Sequence, residues 1–207
     1  AGFNLWAGHG LSLPSTIAPD PDTRGWACAR HPSWCPGDLA PTAMYPPGYQ
    51  LYIALVYGIT NKRSLEAVLF GQLLLLVTMV VVFEAVLAKH LARTGYFFAM
   101  GVFFTYPFIA RHAAQIVNDQ LHVSLMLFSL ASLDLMAPGV SRGVLGGGLL
   151  SLATLARPHS IVCLPFVTAA MAVRKVGRPA KTELFALVLA MAIPFALWTA
   201  RNWVTFG

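Results

Sequence analysis

Charge is what this sequence has least of. Only 11% of its 207 residues are Asp, Glu, Lys or Arg, where a soluble domain carries about 25%. With 57% hydrophobic residues and a mean hydropathy of +0.66, that deficit points to the membrane class. Acidic residues are scarcer than basic ones, 8 against 14. The net charge of +6 invites a nucleic-acid reading. The cations, however, stand singly or in pairs between apolar runs and form no basic face that could track phosphates. The expected partner is therefore a lipid bilayer and not a nucleic acid.

Cysteine is sparse as well. Cys28 and Cys35 flank a Pro-rich polar segment, and Cys163 lies in an apolar run. A C-x6-C pair has no usual zinc spacing. It fits a disulfide in an oxidising periplasm and fits two unrelated thiols equally. No G-x-x-x-x-G-K-[ST], G-x-G-x-x-G or G-x-S-x-G motif occurs, which leaves no P-loop, dinucleotide-binding or nucleophile-elbow signature. Gly146-Gly147-Gly148 sits in an apolar run and reads as close helix packing. The chain opens AGFNLWAGHG, without Met or a basic n-region, and ends TFG. The expectation is a fragment of a longer polytopic protein, cut at both ends.

What is present is a series of apolar segments. Residues 1–63 are expected to form a periplasmic loop, rich in Pro and Asp, that carries an interfacial helix over 46–59. Pro46 and Pro47 suit a first turn, where their missing N–H groups cost nothing. Fourteen residues reach only about 21 Å, short of a hydrocarbon core of about 30 Å. Tyr45, Tyr49, Tyr52 and Tyr57 are expected at headgroup level. Residues 64–207 are expected to be the transmembrane region. Its segments are 64–88, 95–110, 119–136, a short pair over 143–173 broken at Arg157-Pro158, and 183–200. If 64–88 enters from outside, the cations Lys89, Arg93, Arg142, Arg174, Lys175, Arg178 and Lys181 crowd into the short cytoplasmic loops 89–94, 137–142 and 174–182, as the positive-inside rule requires. The stretches 1–63, 111–118, 157–159 and 201–207 then share the outer face.

The link RHAAQIVNDQL on that face holds the candidate chemistry. Asn118 and Asp119 open a helix, where a side-chain oxygen caps backbone N–H groups and a negative charge meets the dipole. The same carboxylate could serve a substrate hydroxyl, a cation or a metal. Asp134, at the far end of that helix, reads as topological. Arg111 reads as a snorkelling residue or a phosphate ligand, and His112 as a surface or packing histidine. His122 follows Asp119 at i,i+3 and shares its face, yet two ligands without a third make no metal site. Arg157 and His159 sit between two short apolar helices, where a cation needs a polar cavity or a counter-charge. Lys62, Arg63 and Arg201 share that face, and together these cations suit an anionic lipid phosphate.

The order of parts then carries a resemblance: GHG, a loop, YPPGYQLYIAL, a long span ending AKHLARTG, N-D at a span's start, L-A-R-P in a Gly-rich pair, and W-T-A-R-N. Across nearly all of 1–207 the chain resembles the GT-C class of polytopic glycosyltransferases. The groups it is most similar to are the family 39-like bacterial enzymes, which include protein mannosyltransferases and lipid A aminoarabinose transferases. The resemblance implies an all-α integral membrane fold, a GT-C-like helical bundle with an outer-face loop and interfacial helix. It implies transfer of a sugar from a polyprenyl-phosphate donor to a lipid, glycan or protein acceptor at the periplasmic face of a bacterial plasma membrane. Asp119 would be the secondary acidic residue of catalysis, with the principal carboxylate in a region preceding Ala1. Asn118, Arg157, His159, Lys62 and Tyr49 would bind substrate. Some relatives use a divalent metal, magnesium or manganese, for which Asp119 would be the ligand here, and others use none. A transporter or flippase and a non-catalytic membrane scaffold remain the alternatives.

Overall fold

The computed structural model describes residues 12–14, 39–41, 47–61, 64–105, 118–173 and 181–206. Lys62, Arg63, Tyr45, Arg111, His112, both cysteines of the Pro-rich segment and the basic stretch 174–178 lie outside the described residues, as does the side chain of Asn118. Within the first loop, β1 (Ser12–Pro14) pairs antiparallel with β2 (Leu39–Pro41), Leu13 opposite Ala40. This short ladder was not expected from the sequence. Three residues per strand is too short to show an alternating pattern, and Pro14 and Pro41 argue locally against a strand.

All else described is helical. Helix α1 (Pro47–Thr60) begins at the second proline and stops at Asn61, which takes a left-handed φ of 49°, a conformation Asn tolerates at a helix C-terminus. Helix α2 (Leu65–His90) is capped by Ser64, whose Oγ accepts from the Ala67 N–H at 3.1 Å. Glu66 in its first turn and Lys89 and His90 in its last both suit the helix dipole. Then come α3 (Arg93–Thr105), α4 (Asn118–Leu135) and α5 (Val140–Ala156). Arg157 is extended (φ −143°, ψ 114°), as the residue before a proline tends to be, and this ends α5. A 3-10 turn over Pro158–Val162 leads into α6 (Cys163–Val173), and α7 (Lys181–Phe206) closes the chain.

The contacts fix the direction of each helix. In α2 and α4, Met79 meets Ser124 and His90 meets Asp134, so the two run parallel. Helix α3 turns back along α2, with Phe83 and Phe103 ring centroids 4.8 Å apart and Tyr96 donating to Glu84 at 3.2 Å. Helix α5 is antiparallel to α4: Ser129 donates to the Gly146 carbonyl at 2.7 Å, and His122 lies against Ala153. Helix α5 runs parallel to α7, because Gly143 faces Glu183 and Gly147 faces Leu187 and Ala190, with no room for a Cβ at either glycine. Two parallel neighbours require a return between them, which α6 supplies, its Met171 packing with Leu133 and Leu187. The expected short pair over 143–173 is therefore a helical hairpin.

One pole of the bundle thus gathers α1, the start of α4 and the 157–162 turn. The other gathers the α2–α3 and α4–α5 turns, the end of α6 and the start of α7. Helix α1 lies across the first pole. Gly48 seats on the Leu155–Ala156 backbone, and the Tyr52 hydroxyl donates to the Val68 carbonyl at 3.0 Å. Two helices, α2 and α7, are long and apolar enough to cross a membrane, and 17% of the apolar window of each is buried. Phe70, Phe97, Phe98, Phe166, Phe185 and Leu197 are exposed.

The α1 tyrosines, expected at headgroup level, pack inward: Tyr57 is buried at 4% exposure, and Tyr49 and Tyr52 are half-buried against Leu121, Leu125, Ala153 and Ala156. One expectation is corrected. The helix expected from 143 begins at Val140, so Arg142 is not a loop cation. It is buried at 2% exposure and paired with Glu183, itself at 0%. The Glu183 carboxylate also accepts the Gly139 N–H at 3.1 Å, and Arg142 Nη1 reaches the Leu133 carbonyl at 3.3 Å. The local pattern of VSRGVL cannot show that a carboxylate far along the chain neutralises the cation.

Candidate functional site

The pole capped by α1 brings Asp119, His122, Arg157, His159 and Ser160 together. Asp119 stands in the first turn of α4, and Arg157 occupies the break between α5 and the 3-10 turn. Their side chains form an ion pair, Arg157 Nη2 to Asp119 Oδ1. The pair is neither sealed nor fully solvated, with Arg157 at 38% and Asp119 at 18% side-chain exposure. Carboxylate and guanidinium make strong charge-assisted contacts, so Asp119 ties the turn that carries Arg157 to the start of α4.

One turn further along α4, His122 reinforces that link. Its Nδ1 lies 3.2 Å from the Ala153 carbonyl and 3.0 Å from Ser160 Oγ. Ser160 Oγ in turn donates to the Arg157 carbonyl at 3.0 Å, and the Ser160 N–H reaches the same oxygen at 3.2 Å. Ser160 is buried and His159 exposed. The His159 and His122 rings meet edge to face, centroids 5.0 Å apart. The segment Arg157-Pro158-His159-Ser160 is thus held to α4 at two points, an ion pair and a histidine–serine bond.

Tyr49 reaches the same pole from α1. Its hydroxyl accepts from Gln72 Nε2 at 3.2 Å and its ring stacks on Tyr52 at 5.8 Å. Burial pushes both phenols up, Tyr52 to about 12 and Tyr49 further. Both are therefore neutral hydrogen-bonding groups at ordinary pH, not bases.

Of the residues singled out in the sequence, Asp119 and Arg157 are in contact and His159 packs against His122, one turn along α4 from Asp119. Tyr49 joins the same pole through the apolar cluster around Leu121. Ser160 had no sequence signal of its own, and His122 was set aside for want of a third metal ligand. Among the described residues no group of three His, Cys, Asp or Glu side chains converges, and the Asp119 carboxylate is taken up by Arg157. The described residues do not fit a divalent ion.

The opposite pole is different in kind. Asp134 receives His90 Nε2 at 2.7 Å and Lys89 Nζ at 3.1 Å. An apolar cavity of about 550 Å³ opens beside them, between α4 and α6. Asp134 is thus an anchor between α2 and α4.

Comparison with protein-family models, curated proteins and solved structures returned no match.

Proposed function

We propose that the chain is part of a membrane glycosyltransferase of GT-C type. It would move a sugar from a polyprenyl-phosphate donor to a lipid, glycan or protein acceptor at the periplasmic face of a bacterial plasma membrane. The observation that carries this reading is the half-exposed Asp119–Arg157 pair at the pole capped by α1. A carboxylate can orient an acceptor hydroxyl, and a guanidinium can take the charge that develops on a departing phosphate. His159 stands exposed two residues beyond Arg157, its ring against His122. Membrane residence is supported by two helices of spanning length and by the apolar side chains they leave exposed. Such faces are costly in water and at home in lipid.

The test is sugar transfer by the full-length protein, supplied with a polyprenyl-phosphate-linked sugar in proteoliposomes. Asp119→Asn keeps the shape of the side chain and removes its charge. It should lower transfer at least tenfold while the thermal midpoint stays within a few degrees. Wild-type turnover in that variant would reduce Asp119 to a structural residue.

The same ion pair favours a second reading, a non-catalytic scaffold in which Asp119 and Arg157 only clasp α4 to the α5–α6 turn. The swap Asp119→Arg with Arg157→Asp separates the two. A clasp works in either polarity, whereas a site that needs the guanidinium at the phosphate does not. Restored stability without restored transfer supports the enzyme. Restored stability in a protein whose wild type transfers no sugar supports the scaffold.

A further inference from the structure

We propose that the apolar cavity between α4 and α6 holds one acyl chain of an anionic phospholipid, with its phosphate at Lys89 and His90. The site presupposes membrane residence but not sugar transfer. Its back and its mouth differ. Leu133 and Met171 close the back and are buried, whereas Leu130 and Phe166 stand at the opening, 46% and 71% exposed. The opening is therefore on the flank of the bundle, where the exposed apolar side chains are. Water does not suit this lining. An ordered water needs about 2–4 polar partners, and only His90 and Asp134, both at one end, bring polar side chains.

Depth points to a lipid of the bilayer. The lining runs from Asp134 back to Leu130 on α4 and from Met171 back to Phe166 on α6. At 1.5 Å per residue that is about 6–8 Å inward from the pole. One leaflet of hydrocarbon is about 15 Å deep. The cavity thus occupies the outer half of a leaflet, where phospholipid chains leave their headgroups.

Charge selects the headgroup. A lysine ammonium has three donors. Two of those of Lys89 go to Asp134, one to its carbonyl and one to Oδ2. The third remains, on a side chain that is half-exposed, as His90 is. Asp134 is balanced by Lys89, and Glu183 by Arg142. Glu84, held by Tyr96, is the one further acid on the described helix ends at this pole. Against it stand Arg93 and Lys181, both exposed. The stretch 174–180, which joins α6 to α7, adds Arg174, Lys175 and Arg178 and no acid. The surplus is positive, which favours an anionic headgroup over a zwitterionic one. The positive-inside rule assigns such a pole to the cytoplasmic leaflet.

The test uses the full-length protein in phosphatidylcholine vesicles carrying a trace of phosphatidylglycerol with a photoreactive diazirine on its acyl chain. Adducts formed on irradiation are mapped by mass spectrometry. They should concentrate on 166–171 of α6 and not spread along the exposed faces of α2 and α7. Unlabelled phosphatidylglycerol should compete about fivefold better than phosphatidylcholine, the gain expected from roughly one cation. Ala170→Phe, which fills the cavity, should abolish the concentration of adducts. Lys89→Gln should remove the preference for phosphatidylglycerol, and Lys89→Arg should keep it. Mapping and competition use the wild type, so they stand if a variant fails to fold. Adducts spread evenly over the apolar flank, or equal competition by the two lipids, overturn the proposal. Competition by a polyprenyl phosphate but not by phosphatidylglycerol also overturns it. Protein that does not float with the vesicles removes membrane residence and this site together. Protein that floats and transfers sugar without concentrated adducts removes only the site.

Discussion

Two buried side chains, Arg142 and Glu183, show most sharply how position changes what a residue does. In sequence, Arg142 is one more cation in a basic turn. In the fold it is sealed against Glu183. Removing one partner strands the other, at a cost of about 3–5 kcal/mol. Glu183→Gln and Arg142→Met should therefore each unfold at markedly lower temperature in detergent. The double variant Arg142→Met with Glu183→Leu should recover most of the loss, since an apolar pair leaves no buried charge. The buried phenols of α1 give a pH prediction. Their folded-state pKa lies above the unfolded value of 10.0, reaching about 12 for Tyr52. The folded state therefore holds its phenolic protons where the unfolded chain has lost them. That contribution is complete below pH 10 and is lost as pH rises toward 12. A Tyr52→Phe protein should show less alkaline loss of stability, and tyrosinate absorbance in the wild type should appear late in an alkaline titration. What sequence conveyed at this scale was chemistry without partners. Asp119 and Arg157 were both legible as candidates because each is costly where it stands. Their contact, and the commitment of His122 to Ala153 and Ser160, depend on how α4 lies along α5, which local pattern does not encode.

Helices were more legible than contacts. The Ser64 cap, the prolines before α1 and the Arg157-Pro158 break all act within a turn of the chain, and each boundary fell where that chemistry puts it. The start of α5 did not: Arg142 lies inside the helix, paired with Glu183 on another helix. The glycines of α5 differ in what surrounds them. Gly143 and Gly147 lie against the α7 backbone and Gly146 against Leu133, while Gly148 faces open space. Gly147→Leu should push α7 away and destabilise the bundle by about 1–3 kcal/mol. Gly148→Ala should be neutral or stabilise by up to about 1 kcal/mol, because it adds helix propensity without a clash. Thermal unfolding of the two variants side by side measures the difference. A run of three glycines read as a packing device is thus right for two positions and not for the third.

For the molecule as a whole, the alternation of helix direction puts the ends of the described helices at one of two poles. If α2 and α7 cross a bilayer, the poles lie on opposite sides of it. Single cysteines at Ile59 and His159, both exposed, should react with an impermeant maleimide from the same side, and a cysteine at Leu91 only from the other. Reaction of all three from one side would dismiss the membrane-crossing bundle. Arg142 lies in the bundle and Lys89 is paired with Asp134, so the side assignment leans on Arg93 and the basic stretch 174–181.

The Arg142–Glu183 pair also sets an order in time. Arg142 leaves the ribosome 41 residues ahead of its counter-charge. At about 5–20 residues per second, roughly 2–8 s pass in which α5 carries a cation it cannot bury. Over that interval the short α5–α6 hairpin has neither the partner helix its glycines were cut for nor the carboxylate its arginine needs. It should wait beside the translocation channel, or under a chaperone, until α7 emerges and all three enter their places together. A chain stalled before Glu183 should accordingly be degraded faster than one stalled after Phe206.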